Sequence, residues 1–393
     1  MANAERDVLI AGGGIGGLAS AIALARKGLG SVVLERSSFT EESGAGIQLG
    51  PNATRILRAL GNLEEVERAA FGPEAVWLFD GITGRRLGTM PLGMEAERRF
   101  GAPYLTLHRA DLHGALLSVC KSLAEVGLRP SFEVIAAQAA GDTVAAIAAD
   151  GRRAEGSSLV GADGLWSTVR QHVAPEAALR FARATASRAL MTVSSLRAPF
   201  DAPVVGLWLG PRAHLVHYPV RGGSHVNLVA VTAGGAEGQG WSQTGDAEAL
   251  LRSFGGWCKE SRSLLEQADS WRRWSLYRLR PLARWSTGRV VLLGDAAHPV
   301  LPYLGQGAAL GLEDAITLAE GLARTPKDPA NAFRHYESLR RARAARVQRV
   351  SQRLGALYHL AGPMRPARNF LLSRKERSLA SFDWLYGHRG TSV

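Results

Sequence analysis

The stretch AGGGIGG at Ala11–Gly17 constrains this chain more than any other. It follows Val8–Ala11, which reads as a short buried strand, and precedes Leu18–Lys27, which reads as a helix ending at Gly28. SVVLER at Ser31–Arg36 supplies the next strand, so the chain opens as a βαβ unit. The spacing Gly12-x-Gly14-x-x-Gly17 gives each glycine a role. Gly12 permits the tight turn, Gly14 lets the backbone approach a pyrophosphate, and Gly17 lets the helix sit close to the sheet. The helix N-terminus then faces the phosphates. Glu35 ends the second strand about twenty residues on, where a carboxylate accepts hydrogen bonds from a ribose. The competing reading is a glycine-rich turn that holds nothing.

Val8–Ala25 is also uncharged for 18 residues, as a signal or anchor would be. Five glycines between Gly12 and Gly17 suit a loop better than a membrane helix, and Ala4–Asp7 carries no net positive charge. A targeting role is therefore not expected, nor is any membrane span. A length of 393 residues fits two domains, or one with a subdomain. The two cysteines, Cys120 and Cys258, form no CxxC and join no His/Cys cluster, so neither a disulfide framework nor a metal site is expected. A reducing, cytoplasmic setting fits. Net charge is +12, and much of the excess lies in Leu339–Arg353. Few aromatics interleave with those arginines. A solvated helix face that attracts small anions is favoured over nucleic-acid or membrane binding.

Further along, Asn52–Ala69 has helical periodicity and Ala75–Leu92 reads as a hairpin around DGITGR. His108–Gly127 reads as a helix, Phe132–Gly164 as alternating strands, and Pro203–Thr232 as antiparallel strands. Gly307 to about Leu322 is a helix, and from Pro329 the chain is mostly helical, broken near Gly362-Pro363.

Two further loops carry chemistry. In LVGADGLWSTVR a strand delivers Asp163-Gly164, with Ser167 and Arg170 following; the bland reading is a strand-end turn and helix cap. In VVLLGDAAHPVLPYLGQGAALGLED a buried strand delivers Asp295, where a carboxylate can hold ribityl or ribose hydroxyls. Pro299 and Pro302 stiffen the loop. Gly305-Gln306-Gly307 precede a helix whose terminal amides carry partial positive charge, suited to an anion on a cofactor ring.

GxGxxG first, GADG in the middle and GDAAHP late, in this order, resemble the three signatures of the class A, FAD-dependent aromatic hydroxylases, over roughly the first 325 residues. GAGIQLGPNATRIL (Gly44–Leu57) and HRADL look most like the salicylate, hydroxybenzoate and hydroxynicotinate hydroxylase branch. The resemblance implies tightly bound FAD held by Gly12, Gly14, Gly17, Glu35 with Arg36, Arg109, Asp163, Asp295, Pro299, Gly305 and Gly307. It implies NADH or NADPH as a transient co-substrate, since only one complete dinucleotide fingerprint is present. It further implies that NAD(P)H reduces FAD, that O2 adds at flavin C4a, and that the hydroperoxide hydroxylates a small aromatic or N-heteroaromatic acid. CO2 leaves if the hydroxyl enters at the carboxylate-bearing carbon.

The substrate side lies in HLVHYPV. On a strand, His214, Val216 and Tyr218 share one face and His217 points to the other. The branch has a similar H-x3-Y-P pattern over its aromatic substrate. By that resemblance His214 is the candidate base, direct or through a relay, and Tyr218 binds or orients the substrate. Gln48 and Tyr303 are candidate substrate contacts. Pro302 and Tyr303 depart from close relatives, some of which carry Gln or His there, which leaves the particular substrate open. His298 reads as structural, and Arg85, Arg86 and Arg221 as solvated surface.

The expected fold is α/β (α+β overall). A Rossmann-like FAD-binding domain (1–72, 102–172 and 286–325) carries an inserted antiparallel β-sheet substrate domain (73–101 and 173–285), and C-terminal helices cover 326–393. A monomer or homodimer without nucleic-acid or membrane partners is expected. The alternatives are the same chemistry on a non-acid aromatic such as a polyketide phenol or a purine, and a flavin-binding protein that does not turn over.

Overall fold

Four consecutive apolar residues, Val8–Ala11, are buried, as a strand paired on both sides in a covered parallel sheet must be. In the computed structural model, which describes residues 7–39, 45–235, 237–238, 243–374 and 378–390, this strand is central in a six-stranded sheet. Ser31–Leu34 and then Val126–Arg129 continue the sheet on one side. Ser158–Gly161, Val290–Leu292 and Ser286–Thr287 continue it on the other. All pairs are parallel except the last, Ser286–Thr287 with Val290–Leu292. The sheet thus draws strands from four separate parts of the chain. Their C-terminal ends deliver the loops at Gly12, Glu35, Asp163 and Asp295 to one edge, the place where open α/β sheets bind ligands.

The first helix is Ile15–Ala25, three residues earlier than the glycine-rich turn suggests. Gly17 therefore lies inside its first turn, where a Cβ would stand 1.9 Å from the Gly12 carbonyl oxygen. This helix crosses Gly307–Arg324 closely. Gly16 and Gly311 meet there, with a Cβ on Gly311 falling 3.7 Å from the Gly16 Cα. Asn52–Ala69 is two helices, Pro51–Ala59 and Leu63–Ala69, because the chain turns through Gly61 at φ +74°. His108–Gly127 is also shorter than its periodicity implies. The helix is Arg109–Ser122, and Gly127 belongs to an edge strand, opposite Val32.

The second large sheet has eight strands, with Ala213–Val220 and His225–Ala233 near its middle. It is mostly antiparallel, as expected, but Val205–Gly210 runs parallel to Ala75–Asp80. One face covers an aromatic core around Phe79, Trp208, Phe254 and Trp257. The other meets Leu301, Tyr303 and the C-terminal helices. Those helices are Pro329–Tyr358, Met364–Arg374 and Asp383–Tyr386. Among the described residues no helix is long and apolar enough to cross a membrane.

The arginine-rich helix is not wholly a solvated face. Arg340 is 1% exposed, and it pairs with Glu313 and Asp314 of Gly307–Arg324. Arg343 bridges Glu313 as well. Two adjacent buried acids in this helix need such partners, because an unpaired buried charge is costly.

Candidate active site

The three loops converge on a cleft of ≈ 440 Å³. Gly12, Gly14, Glu35, Arg36, Arg109, Asp163, Asp295 and Gly307 all line it. Gly12 has φ +103°, the conformation that favours glycine. A Cβ on Gly14 would meet nothing within 4 Å, so this backbone faces open space. Glu35 Oε2 accepts from the Gly13 amide (2.6 Å) and Oε1 from Ser37 (2.9 Å), which fixes the carboxylate at the rim.

Asp163 Oδ2 caps the next turn, accepting from the amides of Thr168 (2.8 Å) and Val169 (3.1 Å). Its Oδ1 is buried without a partner. Arg170 ties this loop to the next, donating to the carbonyls of Leu165 (2.6 Å) and Ala296 (3.0 Å). Burial pushes the Asp295 carboxyl up, and the nearby His298, Arg109 and Arg170 pull it back. Burial also lowers Arg109, with Asp295 opposing. Neither side chain makes a hydrogen bond among the described residues, so both keep capacity for a ligand. Gly307, Ala308 and Gly311 present the helix N-terminus to the same cleft.

These features fit FAD. An open backbone approach at Gly14, an orphaned acceptor on Asp163, a rim carboxylate at Glu35 and an amide-lined helix start match a dinucleotide with polar arms and an anionic ring. Gly17 does not line the cleft; its role is close helix contact. Pro299 lies outside the lining too, its carbonyl accepting from Gln348 at 3.0 Å. Gly305, at φ +61°, ends the Pro302–Leu304 turn, and a Cβ there would lie 3.6 Å from the side chain of Gln48.

The residues expected on the substrate side form a second group beside the cleft. Ile47 lines the cleft, while its neighbour Gln48 accepts from the Tyr104 hydroxyl at 2.7 Å and lies near the Tyr218 hydroxyl. Burial pushes the Tyr218 hydroxyl well up. His214 lies on the same face of the strand, four residues away. Its Nδ1 is 2.8 Å from His359 Nε2, and its ring centroid is 5.4 Å from those of Tyr303 and Tyr358. Burial, then His359, lowers the His214 imidazole well below its ordinary value. His217 points the other way, accepting from Trp208 at 3.1 Å. Gly44 lies outside the described residues. Arg85, Arg86 and Arg221 are exposed.

Sequence reasoning missed several residues here. His113 Nε2 bonds the Gly13 carbonyl (2.8 Å) and lines the cleft. Asp314 Oδ2 holds His298 (2.6 Å) and the Gly294 amide (3.0 Å), fixing the loop that carries Asp295. The signal available was the pair Glu313-Asp314 in an apolar helix.

Comparison with known proteins agrees with this geometry. The FAD binding domain family model matches residues 5–351. The 3-hydroxybenzoate 6-hydroxylase of Polaromonas naphthalenivorans (strain CJ2) is 38% identical, over 98% of this chain and 96% of its own. The 3-amino-4-hydroxybenzoate 2-monooxygenase of Streptomyces cremeus is 39% identical, over 98% and 96%. A salicylate hydroxylase substrate complex superposes with a TM-score of 0.83 at 24% identity, covering 98% and 96% of the two chains, a likeness of fold. The chain belongs to the FAD-dependent aromatic hydroxylases, flavoprotein monooxygenases of the branch that includes hydroxybenzoate hydroxylases.

Proposed function

We propose that this chain hydroxylates a small aromatic acid, with 3-hydroxybenzoate the first candidate, using NADH or NADPH and O2. One observation carries the reading. The FAD cleft abuts, through Ile47 and Gln48, a buried sheet face that bears a neutral histidine and a tyrosine. In this reading residues 1–72, 102–172 and 286–325 hold FAD, and the sheet of 73–101 and 173–285 holds the substrate.

FAD, when bound, supplies the redox chemistry, passing two electrons from the nicotinamide to O2 and one oxygen atom to the ring; the other oxygen leaves as water. The protein's part is to bind, orient and keep the site dry. His214 takes the proton of the ring hydroxyl, because an aromatic oxyanion directs electron density to its ortho and para carbons. Burial favours the neutral form of His214, the form that accepts a proton, and His359 Nε2 at 2.8 Å can take the hydrogen bond that its imidazolium would donate. His359, half-buried behind it, is placed to pass that proton outward. Tyr218, with Gln48 and Tyr104, orients the ring. Burial of the whole group excludes water, which would divert the reaction to peroxide.

The test is NADH and NADPH oxidation by the purified holoprotein against hydroxybenzoates, aminohydroxybenzoates and hydroxynicotinates, with product and H2O2 quantified together. A hydroxybenzoate that speeds oxidation and appears as hydroxylated product supports the reading. Failure of every acid to speed it would refute the substrate class.

A further inference from the structure

Among the described residues Arg188 is a buried cation without an anionic partner. It lies on the strand Arg180–Thr192 of the eight-stranded sheet and is 8% exposed. Among the described residues it forms no ion pair and no hydrogen bond, although a guanidinium carries five N–H donors. Its guanidinium lies over the ring of Trp274, with Cζ 5.4 Å from the centroid, a contact that satisfies no donor. Its charged neighbours are Arg109 and Arg272, both cations, with the Tyr218 hydroxyl also near. A buried charge among like charges is unfavourable unless an anion completes the site.

The sheet register says where that anion would sit. Arg188 pairs across the sheet with Val229, and Val229 with Val216. The three residues form one row on one face. His214 and Tyr218 flank Val216 on that same face, two residues to either side. Two strand spacings, roughly 10 Å, separate Arg188 from the His214–Tyr218 strand. The floor between them is valine. A ring lying on Val216 and Val229 would place a hydroxyl toward His214 and a carboxylate toward Arg188. A planar carboxylate also matches the guanidinium fork better than a single-point anion does.

We propose that Arg188 is the specificity residue of this site, its guanidinium receiving the carboxylate of the aromatic substrate. This rests on the hydroxylase reading and adds that the acid group is required. The rival source of an anion is the pyrophosphate of the nicotinamide donor.

The experiment measures Kd of 3-hydroxybenzoate and of its neutral isostere 3-hydroxybenzamide from the absorbance change of bound flavin. KM for NADH is measured alongside, in wild-type holoprotein, R188M and R188K. The wild type is expected to favour the acid, and R188M to weaken it by about 100-fold, the size of a buried charge pair losing one member. The amide and NADH should stay within about twofold, and R188K should recover only part of the loss. An unchanged acid-to-amide ratio in R188M would overturn the assignment. So would a rise in the KM for NADH alone, which would give Arg188 to the donor. If R188M does not fold, the wild type still decides, because equal affinity for acid and amide overturns the proposal. Acid and amide hydroxylated equally would remove Arg188 and leave the reaction standing. No hydroxylation of either would remove both.

Discussion

Arg340 donates through Nε to Oδ1 of Asp314 at 2.7 Å, and both side chains are buried. The other oxygen of Asp314 holds His298 and the Gly294 amide. The long C-terminal helix is thereby tied to the loop that presents Asp295 to the cleft. Burial alone would push Asp314 up; His298 and Arg340 more than offset this and hold it at about 2. Replacing Arg340 by Met removes the one cation that two buried carboxylates share, leaving Glu313 to Arg343 and Asp314 to His298. Loss of about 3 kcal/mol is expected, the low end for removing one member of a buried pair, because each acid keeps a second cationic neighbour. Urea denaturation of R340M measures it. A loss below about 1 kcal/mol would mean the pair does not hold the helix to the cleft.

The glycines of the first loop should separate fold from cofactor. A methyl at Gly14 meets nothing in the chain, whereas one at Gly17 meets the Gly12 carbonyl oxygen. Gly14→Ala should keep the wild-type melting temperature of the apoprotein and lose FAD affinity. Gly17→Ala should lower the melting temperature itself. Thermal melts of the apoproteins with FAD titration check both; equal behaviour of the two variants would contradict the assignment.

His214→Asn should leave FAD bound while slowing hydroxylation by about 100-fold or more, the usual scale for removing a general base. The fraction of NADH electrons appearing as H2O2 should rise. Rapid-quench product formation together with peroxide assay reads both. An unchanged rate and coupling would take His214 out of the chemistry.

Stability should fall as the solution is acidified from neutral. Burial holds His217, His359 and His388 at about 4, below the ordinary 6.5. Between those values the unfolded chain binds protons that the folded chain does not, so stability is lost as pH falls through that window. His217 makes the reason concrete, since its Nδ1 accepts from Trp208 and cannot gain a proton without losing that bond. Glu313 and Asp314, both held at about 2, extend the loss to lower pH. Urea midpoints between pH 8 and pH 4 test this. A flat profile from pH 7 to pH 4.5 would contradict it.

The cleft between the sheet's loops was legible because its constraints are local. Gly12, Gly14 and Gly17 are required by one turn, and Asp163 and Asp295 each stand at the end of a buried strand whose run is visible in the sequence. Strand alternation also separated His214 and Tyr218 from His217 correctly. What escaped depends on contacts distant along the chain. Asp314 meets Arg340 across 26 residues, and Tyr104 meets Gln48 across 56. Arg188 becomes notable only once the sheet register sets it in a row with Val229 and Val216 and shows it without an acid. The arginine-rich helix misled for the same reason. Composition exposes its charge, but only the fold shows that Arg340 and Arg343 turn inward.

The most direct test of the account is turnover of 3-hydroxybenzoate with NADH under 18O2. The account expects a dihydroxybenzoate with one 18O in its new hydroxyl, and one NADH consumed per product when coupling is full. Product with oxygen drawn from water, or NADH consumed only to peroxide with every acid tried, would contradict it.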